Sequence, residues 1–272
     1  MADLEPLLAY WRAQDALLRS VDPTWWGAVV ADPRYPTVQE ANYARVEAER
    51  PVGLTEIEAQ LVPALVRSGC RRAHVVVFRP EEQTELLVQA STRGERIVWD
   101  LVMAHEGPAE RAPDDPVEEV GTFDDGVWAS LRASTALFGV SDERALDELS
   151  ALERDVLVPA GRRWFVVRDE HGRPVAFTAL LVLEDVGFID HVLTLPGARR
   201  RGHATALARR VLAEARAAGA DRTLLLAEPG GIAAALYERL GFERVTHIAS
   251  WISPLERTAG RSPSLQIPGG TT

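Results

Sequence analysis

The sequence predicts an α/β protein: a mixed sheet flanked by helices in the C-terminal half, preceded by a second, smaller α/β domain. Three observations carry this. Strand and helix patterns alternate on both sides of a stretch rich in Pro and acid. Arg222–Ala227 is a short, fully apolar strand pattern of the kind buried in parallel sheets. The chain has 272 residues, 46% of them hydrophobic, enough for one sizeable core or two smaller ones.

In chain order, Met1–Leu18 sets Leu4, Leu7, Leu8, Trp11 and Leu18 among acidic residues, an amphipathic helix rather than a secretory signal. Thr55–Ser68 is a second helix. His105–Glu119 (HEGPAERAPDDPVEE) lacks apolar periodicity and marks the boundary. The predicted organisation is therefore a domain over 1–105, a linker over 106–122, a domain over 123–253 and a tail over 254–272, whose Pro, Gly, Ser and Thr predict fraying.

Beyond the boundary, Val127–Phe138 and Asp142–Asp155 carry Leu or Val at three- and four-residue intervals and predict helices. Arg163–Arg168 and Pro174–Leu183 are strands joined by the turn Asp169-Glu170-His171-Gly172. Gly187–Leu195 is a third strand. Ala204–Ala218 is a helix ended by Gly219, and Ile232–Leu240 is a helix stopped at Gly241. Glu243–Ile252 closes the sheet. A weak internal repeat lays Ser68–Ala104 against Ala218–Ile252: in both, a helix ending in Gly leads to an apolar strand, a Pro, a helix, a Gly and a last strand.

The formal net charge of -10 provides no footprint for nucleic acid or an anionic membrane, and it favours a cationic substrate such as an amine. All thirty basic residues are Arg and none is Lys, which with the abundance of Ala points to a high-GC bacterial source. The single cysteine, Cys70, allows neither a disulfide nor a Cys-based zinc site within one chain. No apolar run approaches the roughly 18 to 20 residues of a membrane span. The expectation is a cytoplasmic protein without metal; homodimerisation is left open.

The informative stretch is Val192–Ala208, VLTLPGARRRGHATALA. A strand ends at Pro196, an Arg-rich turn follows, and a helix begins near Ala204. That arrangement aims unpaired backbone N–H groups and the positive end of a helix dipole at one spot, which suits a pyrophosphate. Small residues at Gly202 and Ala204 let phosphate approach the backbone.

Arg199-Arg200-Arg201-Gly202-His203-Ala204 resembles the GNAT acetyltransferase signature Gln/Arg-x-x-Gly-x-Gly/Ala. Ala233–Phe242 (AAALYERLGF) resembles the family's second motif, a helix carrying Leu-Tyr and ending in Gly-Phe. The resemblance covers roughly Phe123 to Trp251. It implies a sheet splayed between Gly187–Leu195 and Arg222–Ala227, with acetyl-CoA in the slot as cosubstrate. The amides of Arg200, Arg201, Gly202, His203, Ala204 and Thr205 would cradle its pyrophosphate. Backbone groups around Thr194, those of Leu193 and Leu195, would pair with its pantetheine arm. Ala233, Leu236, Tyr237 and Arg239 would contact it from the second motif. Tyr237 stands where the family commonly has a tyrosine that hydrogen-bonds or protonates the departing thiolate. One departure is Gly230, where many relatives have Asn.

The implied reaction is direct transfer of the acetyl group to a primary amine in a ternary complex, the acceptor being a small molecule or a peptide. The amine must be neutral to attack, so a base is required near the strand junction. Asp190 is the first candidate, Glu228 the second and His191 the third. Alternation along a strand sets Asp190 and His191 on opposite faces unless a bulge intervenes. Two other readings remain: a non-catalytic CoA-binding regulatory or scaffold protein, and a tandem acyltransferase similar to mycothiol synthase. The N-terminal half resembles the family less, because no second Arg/Gln-x-x-Gly-x-Gly/Ala loop precedes Thr55–Ser68. Its aromatic segment, with Trp25, Trp26, Tyr35 and Tyr43, is a candidate wall for the acceptor pocket.

Overall fold

A computed structural model describes residues 4–107, 116–121, 125–135, 140 and 142–256. The tail beyond 256 and part of the expected linker lie outside the described residues.

The N-terminal half runs α1 (Glu5–Asp15), β1 (Ser20–Thr24), β2 (Gly27–Ala31), β3 (Asn42–Val46), α2 (Leu54–Arg67), β4 (Arg72–Val77), α3 (Thr84–Thr92) and β5 (Val98–His105). The C-terminal half runs β6 (Val117–Val120), α4 (Asp125–Thr135), α5 (Glu143–Leu152), a π-helical turn (Glu153–Leu157), β7 (Arg163–Arg168), β8 (Pro174–Leu183), β9 (Val186–Thr194), α6 (His203–Ala217), β10 (Arg222–Ala227), α7 (Ile232–Arg239) and β11 (Glu243–Pro254). Most expected elements are present with ends shifted by a few residues. Val117–Val120, inside the stretch read as a linker, instead forms an edge strand against β7.

Local chemistry explains the turns. Asp169 accepts from the backbone N–H groups of His171 and Arg173, which closes the β7–β8 turn. Glu184 and Asp185 both adopt positive φ, the requirement of a two-residue hairpin between β8 and β9. Gly187 lacks a side chain because α6 packs there: an added Cβ would lie 3.0 Å from the Cβ of Ala215.

All strands join one sheet in the order β1-β2-β3-β4-β11-β5-β10-β9-β8-β7-β6. The two halves exchange their last strands. β5, which follows β4 and α3 in sequence, pairs antiparallel with β10; β11, which follows β10 and α7, pairs antiparallel with β4. Packing follows the exchange. Leu101 and Met103 of β5 point into the core beneath α6 and α7, whereas Ala249 and Trp251 of β11 point into the core beneath α2 and α3. On the opposite face α1 and the π-helical turn cover a third core that draws on both halves, from Val76 and Phe78 to Leu181 and Leu224. Fully burying a side chain such as Met103 contributes about 1.5–3 kcal/mol, so each half draws stability from the other.

The parallel pairs differ between halves. β9 and β10 pair only through Arg222↔Val186, Thr223↔Gly187 and Leu224↔Phe188, and they diverge toward their C-terminal ends. β3 and β4 pair at their C-terminal ends, Ala44↔Val75 through Val46↔Val77, and Phe78 N–H donates to the Val46 carbonyl at 2.8 Å. One half opens a slot and the other zips it shut.

Candidate active site

The slot leads to the phosphate-type loop. In α6 the Ala206 N–H donates to the Gly202 carbonyl, so the amides from Gly202 to Thr205 precede the helical ladder and have no acceptor within it. Gly202 caps the helix at φ 84° without a side-chain hydrogen bond. An added Cβ there meets nothing within 4 Å, which leaves open space beside the amides. Arg200 also takes positive φ, and the Arg199 Nε donates to the Thr194 carbonyl. His203, Ala204 and Thr205 form the half-buried first turn, while Arg200 and Arg201 are exposed.

The backbone groups facing the slot differ from the expectation. Leu195 N–H donates to the Val175 carbonyl of β8 at 2.9 Å, and alternation directs the polar groups of Leu193 to the same side. Those of Val192 and Thr194 therefore face the slot. Thr194 Oγ1 is buried and unpartnered. The slot, the Thr194 hydroxyl and the free amides at α6 fit an extended amide arm ending in a pyrophosphate.

Where β9 and β10 diverge, a cavity of about 580 Å³ opens, lined by Asp190, His191, Glu228, Ala233 and Tyr237 among others. Asp190 and His191 both line it because a bulge intervenes: His191 adopts φ 54°, and the register shifts between Phe177 and Ala179 opposite. Arg162, 7% exposed, holds this pair. Its Nη2 donates to Asp190 Oδ2 at 2.7 Å and its Nη1 lies 3.2 Å from Glu153 Oε1. The π-helical turn aims Glu153 at Arg162 and at the Trp164 Nε1–H.

Burial alone raises the Asp190 pKa, but His191 and Arg162 outweigh it and hold the carboxylate well below the usual range. A carboxylate so held is a weak proton acceptor near neutrality. Burial disfavours a charged His191, yet the Asp190 carboxylate prevails and the ring's pKa rises. His191 Nδ1 lies 3.0 Å from Asp190 Oδ2 and 2.9 Å from Arg162 Nη2. A ring protonated on Nδ1 donates to Asp190 Oδ2, and that tautomer leaves the Nε2 lone pair available.

Tyr237 is 4% exposed. Burial, reinforced by Asp190, pushes its phenol up to about 12. Glu228 sits exposed at the cavity rim. Glu228-Pro229-Gly230-Gly231 is a turn in which Gly231 N–H donates to the Glu228 carbonyl and Gly230 takes φ 72°; the left-handed requirement explains the Gly. Ala233 lines the cavity, while Leu236 and Arg239 do not; the Arg239 guanidinium donates to the Ala235 carbonyl. Of the four N-terminal aromatics, Tyr43 alone lines the cavity. Trp26 and Tyr35 are core, and Trp25 is exposed beneath Arg50.

In the N-terminal half the loop after β3 is plugged. The Gln83 side chain, fully buried, donates to the carbonyls of Ala48 and Arg50 and accepts from Val52 N–H. Among the described residues no cluster of His, Cys, Asp or Glu is placed to hold a metal ion, and no helix is long and apolar enough to cross a membrane.

A splayed parallel pair, a helix start with free amides and a cavity thus lie together in the C-terminal half. A sequence profile of the acetyltransferase (GNAT) family matches residues 128–242, and this segment is an acyltransferase domain of that type. No curated protein sequence matches it. Solved structures share the fold across both halves. A conserved protein of unknown function from Staphylococcus epidermidis is 11% identical with a TM-score of 0.63, covering 84% of this chain and 90% of its own. A GCN5-related N-acetyltransferase from Kribbella flavida is 19% identical with a TM-score of 0.56, covering 93% and 96%. A tandem GNAT protein from the clavulanic acid biosynthesis pathway is 13% identical with a TM-score of 0.50, covering 74% and 69%. The N-terminal half thus shares its fold with these structures, with its slot zipped and its loop plugged.

Proposed function

We propose that the chain transfers an acetyl group from acetyl-CoA to a primary amine by direct attack in a ternary complex. The observation that carries this reading is the junction of the splayed strands, where the amides of Gly202 to Thr205 and the backbone of Val192 and Thr194 lead to His191, Glu228 and Tyr237 in one cavity. Acetyl-CoA supplies the activated acetyl group.

His191 takes the ammonium proton through Nε2, directly or by one water, while Asp190 fixes the ring and stabilises its charge. Arg162 positions Asp190. Glu228 at the rim attracts the cationic acceptor. Tyr237 donates a hydrogen bond to the leaving sulfur. A phenol near 12 is a much weaker acid than a thiol near 8.5, so full proton transfer is uphill by about 5 kcal/mol. Tyr237 therefore stabilises the thiolate without becoming a phenolate.

The test is acetyl-CoA consumption, followed as free thiol, against a panel of amines, with acetyl-CoA binding by calorimetry on the same protein. Amine-dependent turnover that falls in His191→Gln while binding persists supports the reading. Binding without turnover on any amine favours the regulatory or scaffold role, and absence of binding overturns the cosubstrate assignment.

A further inference from the structure

The cavity extends well past the reacting centre into the N-terminal half. There it is lined by Trp11 and Gln14 of α1, Glu40 just before β3, Tyr43 of β3, and His74 and Val76 of β4. In the sheet, β4 is separated from β10 by β11 and β5, three strand spacings or about 14 Å along the sheet. An acceptor held only by His191 and Glu228 leaves this arm unfilled.

The chemistry of the arm is specific. His74 Nδ1 lies 3.3 Å from the Gln39 carbonyl. Burial lowers the ring's pKa against the opposing pull of Glu40, so the imidazole is neutral. A neutral ring donating from Nδ1 presents Nε2 as an acceptor and asks for a donor. The Tyr43 hydroxyl is committed to Asp15 Oδ1 at 2.7 Å, so its ring, not its oxygen, is available.

The charge count points the same way. Glu40, Glu153, Asp190 and Glu228 line the cavity against Arg132 and Arg162. Arg162 is held by Glu153 and Asp190, and Arg132 is held by Glu143 and Asp147 outside the lining. Among the described residues neither Glu40 nor Glu228 pairs with an arginine. The wall also offers the rings of Trp11, Tyr43, Trp128 and Trp164, whose faces attract cations.

Resting on the acetyltransferase reading above, we propose that the acceptor is a linear diamine or longer polyamine that spans both halves. One amine reacts beside His191 and Glu228. The other remains an ammonium, bound by Glu40 and His74 Nε2 in the N-terminal half, which thereby acts as the specificity unit.

The experiment compares acetyl transfer to α,ω-diamines and to alkyl monoamines of equal length, with titration of the same amines onto the protein without acetyl-CoA. The expected kcat/KM for the best diamine exceeds that of its monoamine by tenfold or more, and the ratio collapses toward one in Glu40→Gln and His74→Phe. Glu40→Lys is expected to invert the preference toward amines with a distal carboxylate, a gain that misfolding cannot mimic. Equal use of diamines and monoamines by the unaltered protein overturns the inference while leaving the transferase reading intact. Glu40-dependent diamine binding without acetyl transfer supports the inference and overturns the reaction.

Discussion

Arg162 Nη2 donates to Asp190 Oδ2 at 2.7 Å from a guanidinium that is buried between the π-helical turn and β9. That bond ties up the carboxylate that stood first among the candidate bases. It also fixes the geometry of His191, because Asp190 Oδ1 accepts the His191 backbone N–H at 2.7 Å while Oδ2 faces the ring. Arg162, ahead of β7, and the neighbours Asp190 and His191 of β9 thus act as one unit. Arg162→Met keeps the stem volume and removes the charge, leaving Glu153 and Asp190 without their guanidinium partner. Breaking a buried pair costs up to about 5 kcal/mol; with the Asp190 side chain 45% exposed, solvent screening reduces the expected loss to about 2–3 kcal/mol. A fall in the urea midpoint at unchanged slope checks this, and an unchanged midpoint sinks it.

The same unit sets a pH dependence. His191 must be neutral to accept a proton, and its pKa is raised by Asp190 against the cost of burial. The acid limb of kcat/KM therefore lies above the ordinary histidine range, and Asp190→Asn moves it to lower pH. The stability sign is opposite to that of a paired acid. Stability from the raised His191 pKa is full below the histidine's unfolded value and is lost as pH rises through the folded one. Asp190, held low, adds a contribution that is constant across that window and is lost progressively as pH falls below the unfolded carboxylate's value. A limb that stays in place in Asp190→Asn removes His191 from the base role.

Much of this was legible in the sequence, and the misses have physical causes. Gly219 and Gly241 end their helices, and Gly202 starts α6 in the left-handed conformation, because each requirement is local. The Asp190–His191 juxtaposition was not legible, since it depends on one left-handed residue in β9 that strict alternation excludes. Arg162 was hidden as one of thirty arginines; its only local signal was a charge beside Gly161 at the entry to an apolar strand. The strand exchange was illegible because apolar pattern shows that β5 and β11 are strands without saying which edge each one joins. Leu193 and Leu195 were placed one residue out of phase for the same reason: which side of a strand an amide faces is set by pairing with β8.

Tyr237 separates binding from chemistry. Its hydroxyl is the only part removed in Tyr237→Phe, and the ring keeps its contact with Phe242 at 5.6 Å. A hydrogen bond to a charged group contributes about 1.5–3 kcal/mol, so kcat is expected to fall about ten- to hundredfold with acetyl-CoA affinity unchanged. Single-turnover kinetics with calorimetry reads both quantities. A kcat within twofold of the unaltered protein means that another group attends the sulfur.

Gly202 tests the anion loop without disturbing the core. Asn tolerates the left-handed conformation that Gly202 adopts, and its Cβ meets no protein atom within 4 Å. Gly202→Asn therefore places atoms where phosphate is proposed to sit while sparing the backbone. Acetyl-CoA affinity is expected to drop tenfold or more, about 1.4 kcal/mol, with the melting temperature nearly unchanged. Retained affinity in a folded variant contradicts the loop assignment.

The exchange of last strands makes a claim about cooperativity. Met103 lies in the N-terminal half of the sequence, yet it is fully buried in the core beneath α6 and α7 with Leu225 and Phe242. Truncating such a side chain to Ala costs about 2–5 kcal/mol. If the halves were independent, that loss would appear in the C-terminal core alone. With β5 between β10 and β11, and β11 between β5 and β4, loosening β5 also withdraws the support on which β11 holds the N-terminal sheet. Met103→Ala is therefore expected to lower the opening free energy of amides in β4 and β10 equally by hydrogen exchange, with urea unfolding in one transition. Two transitions, or a loss confined to β10, contradict a single cooperative unit and return the zipped N-terminal half to the status of a separate domain.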